Sequence, residues 1–191
     1  GCAGAHDAVI ELARTLNAPM VHSLRGKEYV EYDNHFDVGM TGLIGFASGY
    51  AAMKECDTLL LLGTDFPYRQ FYPEHARVAQ VDLRAESLGN RCRLELGVVG
   101  DVADTIAALL PKLKPKTDRV FLDAALAHYK KARADLDKLA VTVYANDDNF
   151  QRLDRVQQLA DEKGLSIPQI ATAYVMSYPL NIFALVGCQT S

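Results

Sequence analysis

Asp57-Thr58-Leu59-Leu60-Leu61-Leu62-Gly63 is the stretch whose reading decides the fold. Four leucines run without a polar break between an acidic residue and a glycine, and the run is too short for a buried helix. It predicts a β-strand buried on both faces, as in a parallel sheet covered by helices on each side. Working outward, Arg77 to Leu83 and Leu94 to Val99 read as two more such strands, and Pro19 to His22 as a short one. Helical patterns alternate with them. Ala5, Ala8, Val9, Leu12, Ala13 and Leu16 follow i, i+3, i+4 spacing, and Leu43 to Lys54 is a small-residue helix. Asp101 is placed to cap a helix whose apolar face is Val102, Ile106, Leu109 and Leu113. Strand and helix in alternation predict βαβ units, an α/β fold with a parallel sheet.

The remainder is organised differently. Lys112 to Thr117, rich in lysine and proline, reads as a linker, and a helix with Leu122, Ala125, Leu126, Tyr129, Leu136 and Leu139 on its apolar side follows. Asp148 to Lys163 is an amphipathic helix stopped by Gly164. Ser166 and Gln169 form a capping-box pattern ahead of a helix through Met176. Ile182 to Val186 reads as a short apolar strand. The net charge of -4 gives no electrostatic case for nucleic acid, and no apolar run approaches the length of a membrane span. Cys2, Cys56, Cys92 and Cys188 are widely spaced, as free thiols of a cytoplasmic protein would be, and no secretory signal is visible. His6, His22, His75 and His128 show no metal-ligand spacing.

Ligands of a parallel sheet sit at the carboxyl ends of its strands. Four segments lie there: Gly1-Cys2-Ala3-Gly4, Met40-Thr41-Gly42-Leu43-Ile44, Gly63-Thr64-Asp65-Phe66-Pro67-Tyr68, and Asp82. Glycines let backbone approach a pyrophosphate, threonine hydroxyls and helix N-terminal amides donate to it, and an acidic strand end accepts from ribose hydroxyls. Each signal has a bland counterpart: Gly63-Thr64 as a turn, Asp82 as a helix cap. Arg25, Lys27 and Glu28 read as a surface ion network rather than a catalytic group.

Val21-His22-Ser23-Leu24-Arg25-Gly26-Lys27-Glu28, Glu31-Tyr32-Asp33-Asn34, Asp37 to Gly45, and Gly63 through Pro73 together resemble the central domain of thiamine-diphosphate-dependent pyruvate oxidases, the quinone-linked pyruvate dehydrogenases above all. Asp82 through Arg91 and Leu96 through Asp101 continue the likeness, which runs from Gly1 to about Ala140. His35 and Ala51-Ala52 depart from the family's usual proline and bulkier pair. The resemblance implies a Rossmann-like domain over residues 1–113, whose first, central strand would stand before Gly1, with a linker and connecting helix over 114–144. It implies FAD held by Thr41, Gly42, Leu43, Ile44, Gly63, Thr64, Asp65, Phe66, Pro67, Tyr68 and Asp82, with Arg69 and Asp101 as weaker contacts. Thiamine diphosphate and magnesium belong to other domains of the complete family enzyme, which converts pyruvate to acetate and CO2. The Gly-Asp-Gly motif that holds them does not occur here, so catalysis by this chain alone is not expected. The partners implied are FAD, and either separately encoded thiamine-diphosphate domains or further copies of this chain.

Residues 145–191 resemble something else. Ala145 to Phe150, Leu159 to Ser166, Ile167 to Tyr174 and Leu185-Val186-Gly187-Cys188 look like the end of an aldo/keto reductase barrel, without that family's catalytic tyrosine, lysine, aspartate and histidine. The chain thus reads as a join of two partial sequences. Alternatives are a remnant without a ligand and an NADP-dependent reductase fragment. Ile182 to Val186 is expected to enter the central slot of the sheet.

Overall fold

The computed structural model describes residues 1–184, in two compact units: Gly1–Asp135, and the residues from Leu136 on. The first unit carries every strand found among the described residues. These are β1 (Met20–His22), β2 (Asp37–Met40), β3 (Thr58–Leu62), β4 (Arg77–Asp82) and β5 (Leu96–Val99). β1 pairs with β2, and β3 with β4 and β4 with β5, all in parallel. The pairings thus form two separate parallel sheets, β1–β2 and β3–β4–β5.

β3 shows why the elements assemble as they do. Side chains alternate across a strand, so the leucine run feeds two clusters. Leu60 and Leu62 pack with Ala5, Val9 and Leu12 of the α1 region (α1, His6–Leu16) and with Val102 and Ile106 of α4 (Val102–Leu109). Leu59 and Leu61 pack on the other side with Met53 of α3 (Ala47–Glu55) and with Phe66, Tyr72 and Val78. β1 contributes to both clusters through Met20 and Val21. A short helix, α2 (Lys27–Val30), lies in the β1–β2 connection.

Several boundaries differ from the sequence expectation, each for a local reason. The helix expected from Leu43 starts only at Ala47. Gly42 stands at φ +115° and the amide of Gly45 donates to its carbonyl, a turn that the helix can only follow. β5 is largely exposed and Leu59, Leu60 and Leu62 of β3 are half-buried, rather than buried on both faces, since these two strands end the β3–β4–β5 order. β2 has no counterpart among the predicted strands. Its Asp37-Val38-Gly39-Met40 lacks apolar alternation, with Gly39 at φ +95° to make room for Tyr129 and Phe46. Asp101 caps α4 as expected, accepting from the amides of Ala103 and Asp104 at 2.8 and 3.2 Å. The long helix α5 (Val120–Tyr144) begins inside the first unit. Leu122 is fully buried against Ala13 and Phe36, and Ala125 against Val38 and Ala52. The division between the units falls within this helix, at Asp135.

In the second unit, α6 (Asp147–Lys163) packs on α7 (Ile167–Met176), burying Ala160 and Ile170. Asn146 caps α6 by accepting from the Asn149 amide, and Gly164 ends it in the left-handed conformation. The Ser166 amide donates to Gln169 Oε1 at 2.8 Å, as the capping-box pattern predicts. The strand expected over Ile182–Val186 does not form over Ile182–Ala184. There the Ile182 amide turns back to the Leu180 carbonyl instead of joining a ladder. Leu185 and Val186 lie outside the described residues.

The burial of Leu122 makes α5 part of the first unit's core. Leu122→Ala is therefore expected to cost about 2–5 kcal/mol, the range for a buried leucine. Urea unfolding of the full chain checks this: a loss below about 1 kcal/mol, within the surface range, would make α5 an ornament of the unit.

Candidate functional site

The site is built where β3 and β4 end. Gly63 follows β3 at φ +55°, a conformation that favours glycine, and its amide donates to the Val81 carbonyl of β4 at 2.8 Å. Its backbone lies directly against that of Gly1, so a side chain on either would run into the other's main chain. Cys2 Sγ donates to the Leu62 carbonyl at 3.6 Å, which fastens the same crossing. Beside it is a cavity of about 200 Å³ lined by Gly1, Gly63, Asp82, Leu83, Arg84 and Val102. Three of the four segments singled out in the sequence therefore converge.

The fourth meets the loop after β3. The position a Cβ would take on Gly42 lies 3.4 Å from the Phe66 ring and 3.8 Å from that of Tyr68. Thr41 is buried and its hydroxyl has no hydrogen-bond partner, while Leu43 and Ile44 are 70% and 74% exposed. Phe66 is a core residue, in edge contact with Tyr68 and Phe71. Tyr72, buried beneath it, donates to the Phe66 carbonyl at 2.8 Å, and burial raises its phenol well above its usual range. Thr64 is half-buried and Pro67 exposed. Asp65 and Arg91 form a two-pronged pair at 2.7 and 3.0 Å, and the hydrogen bonds from Arg91 hold the Asp65 carboxyl below the ordinary carboxylate range. Asp82 turns one oxygen to the Arg84 amide at 2.9 Å. Arg69 donates to the Asn90 carbonyl, away from the cavity lining.

The helix ends fit an anion unequally. Asp101 already occupies the N-terminal amides of α4. Neither α1, which follows Gly1 to Gly4, nor α3, which follows Thr41 to Ile44, has a side-chain cap, and both leave amides for an anionic group. The residues therefore fit part of a dinucleotide. A cavity of about 200 Å³ is smaller than the roughly 300–1,000 Å³ of pockets that enclose a whole drug-sized ligand. It has room for only part of such a ligand, with glycine backbone beside it and an acid on its wall.

A second cluster was invisible in the sequence. His22, at the end of β1, and Asp37, at the start of β2, are both buried, with Nε2 3.5 Å from Oδ1. Burial pulls the imidazole below its usual range and pushes the carboxyl above its own, each opposed by the charge of the other. Glu31, paired with Lys27, stands close by. The fifteen-residue interval between His22 and Asp37 matches no short metal or catalytic motif, and only β1–β2 pairing joins them.

Two parallel sheets flanked by helices, with a glycine-lined cavity where β3 and β4 end, define an α/β domain. The comparisons with known proteins give it a family. Residues 1–109 match the family described as "Thiamine pyrophosphate enzyme, central domain", and the chain belongs to that family. A 42.6 kDa protein from the isoamylase 3′ region of Pseudomonas amyloderamosa is 70% identical over 139 residues, 73% of this chain and 35% of its own length. YdaP of Bacillus subtilis (strain 168), provisionally named as thiamine pyrophosphate-containing, is 30% identical over 167 residues, 87% of this chain and 29% of that protein. The acetolactate synthase large subunit of Porphyra purpurea is 32% identical over 115 residues, 58% of this chain and 20% of the subunit. The chain thus spans about a third or less of these relatives. No described helix is long and apolar enough to cross a membrane.

Two outcomes follow from this geometry. Gly63→Ala should destabilise the chain by at least the roughly 1–2 kcal/mol of a left-handed Cβ, because the Gly1 backbone adds a clash; thermal unfolding checks it, and an unchanged midpoint would contradict the crossing. For Asp65, a carboxyl lowered on folding contributes stability above the ordinary carboxylate pKa and loses it as pH falls through the depressed value. Asp65→Asn should accordingly unfold at lower urea than the parent at pH 7, and the two should converge at acid pH.

Proposed function

We propose that the first unit is a nucleotide-holding module that binds the adenosine diphosphate end of FAD within a thiamine-diphosphate-dependent enzyme of pyruvate-oxidase type. The observation that carries this reading is the cavity where Gly1, Gly63 and Asp82 meet at the carboxyl ends of β3 and β4. Asp82 would accept from ribose hydroxyls, and the crossing glycines would let a diphosphate approach. The uncapped ends of α1 and α3, with the unpartnered hydroxyl of Thr41, would supply donors along its length. FAD, when bound, supplies electron-accepting chemistry. This chain's part is to bind and orient it, with decarboxylation left to thiamine-diphosphate domains on separate chains or elsewhere in a longer protein. The proposed overall reaction is that of the resembled family, pyruvate to acetate and CO2. For residues 145–191 we propose the aldo/keto-reductase origin that their sequence suggests, as a helical appendage without a catalytic residue.

FAD titrated into the full chain is expected to lose fluorescence with weak affinity, visible at high micromolar protein, and ADP should compete while riboflavin should not. Thr64→Val and Asp82→Ala each remove a polar contact of about 1 kcal/mol, equivalent to roughly fivefold in affinity. No fluorescence change at high micromolar protein, or unchanged affinity in both variants, would overturn the assignment.

A further inference from the structure

The His22–Asp37 cluster lies apart from the residues that line the nucleotide cavity and is explained by nothing above. Its geometry points to a cation. His22 Nδ1 lies 3.3 Å from the carbonyl oxygen of Ser23. A carbonyl only accepts, so Nδ1 carries the hydrogen, and in the neutral form of the ring Nε2 is a lone pair. That lone pair faces Asp37 Oδ1, also an acceptor, at 3.5 Å. Both atoms are shut off from solvent and neither has a hydrogen-bond partner. Two acceptors confronting each other in a buried site repel unless a proton or a metal ion stands between them.

We propose that His22, Glu31 and Asp37 form a binding site for a divalent transition-metal ion of zinc type. His22 Nε2 and one carboxylate oxygen from each acid serve as ligands, and water takes the open position. One donor atom from each of the three residues lies within 4.8 Å of the other two. Ligands about 2.0–2.1 Å from a tetrahedral zinc stand roughly 3.3–3.4 Å from one another, close to the 3.5 Å between Nε2 and Oδ1. The Nδ1 contact to a backbone carbonyl is the outer hydrogen bond that orients metal-binding histidines. One imidazole with two carboxylates favours zinc or manganese over the all-oxygen sets of magnesium and calcium. Glu31 reaches the site from beyond α2, and Lys27 holds its carboxylate. An ion would compete with Lys27 for that group, and would tie the β1–β2 connection to both strands.

The experiment is a titration of Zn2+ into the full, chelator-stripped chain by calorimetry, with Co2+ as a spectroscopic substitute. One ion per chain is expected at micromolar affinity or better, with a rise in unfolding temperature. The Co2+ spectrum should lack a thiolate charge-transfer band, which excludes the four cysteines. His22→Gln removes a buried ligand and risks misfolding, so two milder variants carry the test. Glu31→Gln should weaken Zn2+ at least tenfold. Lys27→Met, which frees Glu31, should tighten it several-fold, an effect that general damage to the fold does not produce. Absence of binding at 100 µM Zn2+ (about a hundred times the expected dissociation constant, enough for near saturation), a thiolate band with Co2+, or indifference to both variants would overturn the site. In that event His22 and Asp37 share only a proton.

Discussion

The first unit depends on the need of β3 to be covered on both faces. Four consecutive leucines alternate across the strand, and each face has its own cover: α1 and α4 over Leu60 and Leu62, α3 with the Phe66–Tyr72 segment over Leu59 and Leu61. Removing either cover would expose apolar area worth on the order of 25 cal/mol per Å². This requirement fixes α1 and α4 side by side, and so brings the chain before α1 to the end of β3. The contact of Gly1 with Gly63 follows from it. The cavity is thus a by-product of core packing: the layers are held together along the strand and part at its carboxyl end, where Gly1 and Gly63 carry no side chain to fill the space.

The same logic explains why the site divides into a buried and an exposed part. Phe66 and Tyr72 anchor the loop after β3 in the core, and the Tyr72 hydroxyl ties that loop by its own carbonyl. Leu43 and Ile44, on the neighbouring loop, stand in solvent. The loop after β3 is thus clamped by aromatic groups, beside one that exposes two aliphatic side chains.

The fold was legible where one residue pattern had one physical meaning. The i, i+4 pattern of α1, the Asp101 cap and the Ser166–Gln169 pair each have a single local cause and stand in the structure as read, and the leucine run is a strand as read, although only Leu61 of it is buried. What escaped depends on partners distant in sequence. β2 is a strand because β1 supplies its ladder and because Val38 is wholly buried against Ala52 and Ala125. Ser48 reaches the Val38 carbonyl at 2.8 Å for the same reason. The run at Ile182 errs in the opposite direction: apolar residues suggest a strand, but Ile182–Ala184 find no ladder among the described residues. In the candidate site, the glycine and aspartate positions were readable from their place at strand ends. Their convergence with Gly1 was not, since it requires the packing of α1 on β3.

The two polar features of the unit therefore differ in kind. At the β3–β4 end, polar groups stand at an opening, and water or a ligand can satisfy them without rearrangement. Between β1 and β2, His22 and Asp37 are enclosed, and desolvation there acts against both charged forms. An enclosed pair of acceptors costs the fold free energy that an apolar pair of the same size would not. β1 is only three residues long and pairs with β2 across an irregular register, so it has little ladder energy to offset that cost. A charge-compensating group between Nε2 and Oδ1 removes the penalty and joins the two strands where their backbone pairing is weakest. The physical case for an occupant is accordingly stronger here than at the open cavity, although the sequence pointed only to the latter.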